Sequence, residues 1–381
     1  MDAQQSLFSI DPDITYLNCA YFSPQLKTAE EIGIKALKQK GSPYPLPPNV
    51  FFEGSDRIRE VFGQLINADD PNRIVSIPSV SYGIANAVKN ARIQPGDTIV
   101  LAGDQFPSNV YSWVALAKQN GANIKIVEAP TDFDDRGKVW NDRILEAIDS
   151  SVRVVSMAHV HWTDGTIFDL KAIRKRTNEV DALLVIDGTQ SIGALPFDVQ
   201  EIQPDALVCS GYKWLLGPYN LGVAYYGPAF DSGSPIEESW INRVDSEDFS
   251  NLVDYKYEYR TAARRYEVGE HCNFIQTPML INSIEQLLSW GVKNIQDYCR
   301  SLAEEPIRLL KEHGYVIGED PYQAYHLFGI RITEQHNKQA INQRLTDEKI
   351  VISFRGDCIR VSPHLYNDAN DIAKLVHALT S

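Results

Sequence analysis

Short apolar runs alternate with helical patterns along the middle of the chain. The runs are nearly continuous in Val, Ile and Leu, which is typical of strands that are covered on both faces of a sheet. They lie at residues 74–77, 97–102, 123–127, 152–157, 182–187 and 206–210. The segments 82–90 and 109–120 between them have helical spacing. Strands separated by helices predict a mostly parallel, doubly wound α/β sheet.

The pattern changes after about residue 276. Two long amphipathic helices are predicted first, and shorter strands and helices follow them. These elements are helices at 279–291 and 295–313, a strand at 327–332, a helix at 335–349, strands around 351–353 and 358–361, and a helix at 368–379. This order predicts a smaller α+β unit at the C-terminal side of the sheet.

Composition and charge narrow the class of protein. The chain has 381 residues, and 36 Lys and Arg against 50 Asp and Glu give a net charge of −14 at pH 7. The apolar fraction of 44% is that of a globular protein and excludes a disordered acidic one. The acidic balance argues against nucleic-acid binding, which needs clustered positive charge. No run approaches the roughly 20 apolar residues of a membrane span.

The first residues and the cysteine spacing bear on the compartment and on metal or disulfide sites. The first residues lack the basic and apolar stretches of a signal peptide, so we expect a cytoplasmic protein. The five cysteines are scattered and form no C-x-x-C pair. The sequence therefore indicates neither a zinc site nor a disulfide framework.

Four predicted strand ends are followed or closed by side chains that could bind a cofactor or take part in catalysis. Asp187 closes one strand, Lys213 follows the next, His159 follows the strand at 152–157, and Ser81 follows the strand at 74–77. Ligands of open α/β sheets bind beyond the carboxyl ends of the strands. Each residue alone also has an ordinary explanation: a solvated lysine, a helix N-cap, an interior histidine and a capping serine. Together they suit pyridoxal 5′-phosphate (PLP).

The chemistry of PLP explains these residue types. Its aldehyde needs an amine that is partly deprotonated, which a desolvated lysine provides. Its pyridine nitrogen stays protonated beside a buried carboxylate and then acts as an electron sink. Its phosphate binds backbone N–H groups and hydroxyls at a helix N-terminus.

The segment SGYKWLLGP at 210–218 resembles the lysine signature of class V aminotransferases. This PLP-dependent group of fold type I includes cysteine desulfurases, isopenicillin N epimerase and kynureninase. DGTQ at 187–190 is similar to its pyridinium-binding segment, NCAY at 18–21 to its N-terminal substrate loop, and IRVSPHLYN at 359–367 to its carboxylate-binding arginine strand. The resemblance implies a mostly parallel, seven-stranded-type sheet with helices on both faces, a small α+β domain, and a homodimer.

The same resemblance implies three parts of the chain and a role for each site residue. The parts are an N-terminal segment (1–20) near the active site, a large PLP-binding domain (21–275) and a small C-terminal domain (276–381). Lys213 is expected to form the Schiff base with PLP and then to move protons. The other cofactor contacts are expected from Asp187 at the pyridinium, Gln190 at the phenolic oxygen, His159 stacked on the ring, and Val80, Ser81, Ser210 and Tyr212 at the phosphate. The substrate contacts are expected from Arg360 at the carboxylate and from Asn18 and Trp162.

Some positions depart from the family pattern. Glu270 stands where the family usually has a Thr that reaches the partner subunit's phosphate, and we expect Asn273 to replace that contact. Trp162 stands where Asn is usual. Cys358 lies two residues before Arg360 on one predicted strand, so its thiol is expected on the same face, close to substrate but on no mobile loop.

The sequence leaves the reaction type open. Transamination of an amino acid is the first interpretation, and a lyase, an epimerase or a desulfurase-like enzyme is the alternative. A non-catalytic PLP-fold binding protein is a third hypothesis, against which the retained Lys213 and Asp187 argue, because burying both costs desolvation energy. A dinucleotide-dependent oxidoreductase is excluded because no G-x-G-x-x-G follows the first strand.

Overall fold

The computed structural model describes residues 1–131 and 135–381. The N-terminal part contains a short strand and two helices that precede the main sheet: β1 (Thr15–Tyr16), α1 (Lys27–Gln39) and α2 (Val50–Ile66). Both helices pack against a long helix from the C-terminal part of the chain, α8 (Gln276–Trp290).

Seven strands form the central sheet. They are β2 (Ile74–Ile77), β3 (Thr98–Ala102), β4 (Asn123–Val127), β5 (Val152–Ala158), β6 (Leu183–Asp187), β7 (Ala206–Ser210) and β8 (Gly222–Tyr226). Their order across the sheet is β2-β8-β7-β6-β5-β3-β4. Only β8 runs against the others, because it pairs antiparallel with both β2 and β7. The predicted mostly parallel α/β sheet is confirmed, although the pattern analysis did not identify β8 as a strand.

Helices cover both faces of this sheet. They are α3 (Val80–Asn90), α4 (Tyr111–Asn120), α5 (Arg136–Ala147), α6 (Leu170–Glu179) and α7 (Val199–Ile202). Consecutive residues of one strand enter different cores: Leu184 and Ile186 belong to one cluster and Val185 to the other. This two-sided burial is the reason that the strands appear as continuous apolar runs.

The C-terminal elements form a smaller unit with its own core. After α8 they are α9 (Val292–Glu312), β9 (Phe328–Arg331), α10 (Lys338–Asp347), β10 (Ile350–Val351), β11 (Ser353–Arg355), β12 (Cys358–Val361) and α11 (Ala369–Thr380). Strands β11, β12 and β9 form an antiparallel sheet in that order. Strand β10 separates from β11 and pairs in parallel with β1. The N-terminal segment is therefore bound to the C-terminal unit, and Leu17 is buried in the core of that unit.

Two kinds of feature are absent from the described residues. No helix within 1–131 and 135–381 has the length and hydropathy that a membrane span requires. The same residues contain no cluster of three or more His, Cys, Asp or Glu arranged to hold a metal ion. The proposed domain boundaries at residues 20 and 275 stay a prediction.

Candidate active site

A cavity of about 330 Å³ lies at the carboxyl ends of several parallel strands. Such an edge is where open α/β sheets bind ligands. Eight of the residues expected at the site line this cavity: Val80, Ser81, Trp162, Asp187, Gln190, Ser210, Tyr212 and Lys213. Three others, His159, Asn18 and Arg360, do not line it.

Lys213 lies in the loop between β7 and β8 and is only 7% exposed. The loop turns back on itself because Gly211 N–H donates to Leu221 O and Gly217 N–H donates to Gly211 O. Burial lowers the pKa of the Lys213 amine to about 8, the nearby carboxylate of Asp187 opposes this shift, and the cations Arg360 and Arg355 add to it. A larger share of this amine is therefore neutral near physiological pH than for an ordinary lysine, as a nucleophile requires.

Asp187 ends β6 with its carboxylate directed into the cavity. Burial raises its pKa, while the Thr189 hydrogen bond, in which the backbone N–H donates to Oδ1 at 2.9 Å, and the Lys213 charge act in the opposite direction. Because the carboxylate is buried and has no full ion pair among the described residues, it suits a cationic group supplied by a ligand.

The first turn of α3 forms one wall of the cavity. Ser79 caps this helix by accepting a hydrogen bond from Tyr82 N–H, and its hydroxyl lies 2.9 Å from that of Ser81. The hydroxyl of Ser210 lines the cavity from β7 and is buried without a hydrogen-bond partner in the part of the chain that the structure describes. Free N–H groups of a helix N-terminus together with hydroxyls provide a site for an anion such as phosphate.

His159 lies on the opposite side of the sheet from this cavity. In the register of the sheet Ala158 is paired with Asp187, so these two residues point to one face and His159 points to the other. The His159 ring contacts Phe197 at 5.6 Å between centroids and lines a separate groove, and burial lowers its pKa to about 3. The expectation that His159 stacks on the cofactor ring is therefore corrected by the alternation along β5.

Phe106 occupies a position that the sequence analysis missed. It lies in the loop after β3 and lines the cavity, and its ring centroid is 5.5 Å from Lys213 Nζ. The ring also packs edge-on against Trp162 at 5.6 Å. An aromatic residue just beyond the carboxyl end of a third parallel strand was the signal that would have identified it.

The side chains of Gln190 and Asn18 hold the site together. Gln190 accepts a hydrogen bond from Trp214 Nε1 at 2.8 Å and donates one to Ala20 O, which fixes its amide beside Asp187. Asn18 is buried, and its Oδ1 accepts a hydrogen bond from Ser353 Oγ at 2.8 Å. The structure thus places Asn18 behind the site, against β11, and not at a substrate-facing position.

Arg360 is almost fully buried next to the cavity. Its Nη1 donates to the carbonyl of Trp162 at 3.0 Å, and its Nε and Nη2 have no hydrogen-bond partner among the described residues. Burial, reinforced by the charge of Arg355, lowers the pKa of this guanidinium to about 9. Trp162 lines the cavity, and its Nε1 donates to Asp104 O at 2.7 Å, so its indole is fixed in place.

Two departures from the family pattern lie away from the cavity. Cys358 shares the face of Arg360, but its thiol is directed to Thr163 O at 3.7 Å and lines a different, small cavity. Burial raises the pKa of Cys358 to about 12, so the expected proximity of its thiol to substrate is corrected. Glu270 is exposed and does not line the cavity, and Asn273 Oδ1 accepts from the first N–H groups of α8.

Comparison with known proteins gives the family. Residues 50–375 match the aminotransferase class-V family, which is most of the chain. The chain belongs to the class-V aminotransferases.

Relatives of this class-V aminotransferase include proteins with two kinds of name. An uncharacterised aminotransferase of Schizosaccharomyces pombe is 24% identical over 99% of this chain and 93% of its own length. A probable cysteine desulfurase of Methanothermobacter thermautotrophicus is 26% identical over 84% of this chain and 82% of its own length.

Solved structures show the same fold. The cystine C–S lyase C-DES in complex with cysteine persulfide has a TM-score of 0.86 at 19% identity and covers 97% of this chain and 98% of its own. The cysteine desulfurase CsdA of Escherichia coli has a TM-score of 0.79 at 20% identity and covers 98% of this chain and 96% of its own. The predicted fold type I is thereby confirmed.

Class-V aminotransferases are PLP-dependent enzymes, so PLP is the cofactor of this chain. The residues present fit the group. The unpartnered hydroxyl of Ser210 and the free first turn of α3 suit its phosphate, the buried Asp187 suits its pyridinium, and the Lys213 amine suits its aldehyde.

Proposed function

We propose that this enzyme transfers the amino group of an amino acid through Lys213. The observation that carries the proposal is the buried amine of Lys213, with its pKa lowered to about 8, in one cavity with Asp187 and the first turn of α3. When bound, PLP supplies an electron sink that stabilises negative charge at the α-carbon of the substrate.

Each side chain of the cavity has a separate role in binding the cofactor or in moving a proton. Lys213 Nζ holds the cofactor and, once released by substrate, moves the proton at the α-carbon. Asp187 maintains the positive charge on the pyridine nitrogen. The phosphate is bound by the backbone of Val80 and the hydroxyls of Ser81, Ser210 and Tyr212, and Gln190 donates its remaining amide N–H to the phenolic oxygen.

The substrate is bound on the side of Trp162. Arg360 has two unpartnered nitrogens, and a planar guanidinium binds a carboxylate with two parallel hydrogen bonds. Trp162 and Phe106, which pack against each other, limit the access of water to the reacting atoms.

One measurement on the PLP-loaded enzyme tests transamination. A stoichiometric amount of each amino acid is added, the protein is denatured, and the released cofactor and products are quantified. Transamination gives the amine form of the cofactor and one equivalent of 2-oxo acid, and added 2-oxo acid restores the aldehyde. Unchanged cofactor together with pyruvate and ammonia would contradict transamination and would establish elimination.

A second candidate is C–S lyase chemistry at the same site, the activity named for one structural neighbour. The environment of the cysteine thiols favours C–S lyase chemistry over the transfer of sulfur to a cysteine of the protein. Cys19, Cys209, Cys299 and Cys358 are buried, and burial raises the pKa of Cys19 and Cys358 to about 12. The half-buried Cys272 does not line the cavity. A sulfur-accepting cysteine needs a reachable thiolate, which these residues do not supply.

We propose that Phe106, and not His159, covers the cofactor ring. Phe106→Ala is expected to weaken PLP binding by about 3- to 10-fold, because an aromatic contact contributes roughly 0.5–1.5 kcal/mol beyond its buried area. His159→Gln is the matched control and should leave PLP affinity unchanged. Fluorescence titration of the cofactor-free variants measures both, and the reverse order of effects would restore His159 as the stacking residue.

We further propose that the enzyme is a homodimer, as expected from the family. An aromatic surface patch supports this, since Phe51 contacts Phe249 and Phe274 at 5.5 and 5.1 Å between ring centroids and all three side chains are exposed. Exposed apolar patches of this kind mark protein interfaces. Light scattering that gives the mass of one 42.8 kDa chain would contradict the proposal.

The cytoplasm is the compartment that we propose for this enzyme. All five cysteines are free thiols, which suits a reducing compartment. Fractionation of cells that express the protein, with a cytosolic marker as reference, is the check.

A further inference from the structure

Two guanidinium groups beside the active site have no carboxylate partner. Arg360 and Arg355 form no ion pair with any described residue, although the chain carries 50 acidic residues. Other shielded arginines do: the buried Arg59 pairs with Glu267, and the half-buried Arg174 pairs with Asp205 at 2.6 Å. Within residues 1–131 and 135–381 the buried Nε atom of Arg355 has no hydrogen-bond partner, and Nη1 donates to Phe354 O.

Both groups belong to one face of the β11–β12 hairpin. The register pairs Ser353 with Arg360 and Arg355 with Cys358, and alternate residues of a strand share a face. Arg355 and Arg360 are therefore diagonal neighbours, whose side chains begin roughly 7–8 Å apart.

Trp162 connects this face to the cavity. The guanidinium carbon of Arg355 lies 5.2 Å from the centroid of the Trp162 ring, and Arg360 Nη1 donates to the Trp162 carbonyl. Trp162 itself lines the cavity. Both cations also act on the pKa of Lys213, so their charges reach the reacting centre.

Two partly desolvated cations without a counter-ion are costly to a fold unless a ligand compensates them. The α-carboxylate of an amino acid forms a bidentate ion pair with one guanidinium. The second guanidinium is then left without a counter-ion. We infer that the substrate carries a second carboxylate at the end of its side chain and that Arg355 recognises it. This inference rests on the proposed function and assigns its substrate class: a four- or five-carbon dicarboxylic amino acid or the corresponding 2-oxo acid.

The charge of the substrate side chain provides a direct test. L-glutamate and L-glutamine have nearly the same shape and differ in charge, as do L-aspartate and L-asparagine. The PLP-loaded enzyme is expected to have the higher kcat/KM for the acid of each pair. In Arg355→Gln this preference should fall by about 10- to 150-fold, the range for a hydrogen bond to a charged group.

Arg308→Gln is the matched control, because Arg308 is an exposed arginine on α9 whose ion pairs lie on the helix surface. It should keep the full preference for the acids. Arg355→Lys keeps a charge and is expected to retain part of the preference, so it remains informative if Arg355→Gln does not fold. Equal kcat/KM for acid and amide in the unmodified enzyme, or an unchanged preference in Arg355→Gln, overturns the inference.

Calorimetry gives a reading that does not depend on turnover. Glutarate and succinate are titrated into the PLP-loaded enzyme beside butyrate, which has a single carboxylate. The dicarboxylates should bind more tightly, and Arg355→Gln should remove the difference. Equal binding of glutarate and butyrate overturns the role of Arg355 even where Lys213 holds PLP. Absence of PLP from Lys213 contradicts the proposed function alone.

Discussion

Lys213→Ala is expected to keep the fold, to lose the covalent attachment of PLP and to lose turnover by about 10³-fold or more. The variant removes both the amine that holds the cofactor and the group that moves the α-proton, and proton transfer by a positioned side chain alone contributes about 10²–10⁴-fold. Borohydride reduction followed by peptide mass spectrometry reports attachment, because reduction fixes PLP on the lysine that carries it.

The same variant should not lose stability in the cofactor-free state. Burial lowers the pKa of Lys213 from 10.5 to about 8, so below pH 8 the folded chain binds this proton less tightly than the unfolded chain. The buried amine therefore opposes folding at pH 7 by on the order of 3 kcal/mol, a cost that declines between pH 8 and 10.5. Lys213→Ala removes it.

Lys138→Ala is the control for Lys213→Ala, since Lys138 is an exposed lysine on α5. It should retain both PLP attachment and turnover. A peptide with reduced PLP attached to another lysine in Lys213→Ala, together with normal turnover, would refute the assignment of Lys213.

Arg360→Met is expected to lower kcat/KM for carboxylate substrates by about 30-fold or more, which corresponds to a loss of about 2–5 kcal/mol for a buried charge contact. The free energy of unfolding of the cofactor-free protein should stay the same or rise, because the variant removes a buried cation without an ion pair. Steady-state kinetics and thermal unfolding measure the two effects.

Arg174→Met is the control for Arg360→Met, because the opposite effects on stability and on KM are expected. Arg174 is half-buried and forms an ion pair with Asp205, so its loss should destabilise the fold and leave KM unchanged. If Arg360→Met instead destabilises the protein without affecting KM, Arg360 has a structural role and binds no substrate.

Much of the fold is determined by local patterns that are visible in the sequence. The strands 74–77 and 206–210 have the predicted bounds, because their Val, Ile and Leu residues are buried on both faces. Strand 123–127 also has the predicted bounds, although it lies at the edge of the sheet and only Val127 is buried. Strand β8 was missed because Gly222 begins it and its antiparallel pairing depends on two distant strands. Strands β10 and β11 appeared as one, because the sequence does not show that β10 leaves the hairpin to pair with β1.

A site residue could be predicted where its type and its position after a strand are sufficient to identify its role. Asp187 ends β6 and Lys213 follows the adjacent strand β7, and the structure directs both into one cavity. The orientation of His159 could not be predicted, because successive side chains of a strand point to opposite faces. An error of one residue in the end of β5 therefore reverses the predicted face. Phe106 was missed because its position after β3 was its only signal in the sequence, and the packing that brings its ring to Lys213 is visible only in the structure.

The pairing of the first segment with the last leads us to expect a particular order of assembly. Asn18 binds Ser353 across 335 residues of chain, and Ala20 N–H donates to Ser362 across 342. Closing such long loops costs more ordering entropy than forming neighbouring strand–helix–strand units, and such contacts form slowly. A refolding chain should therefore acquire affinity for PLP before the hairpin of Arg355 and Arg360 docks. Selectivity for the substrate is expected to appear last.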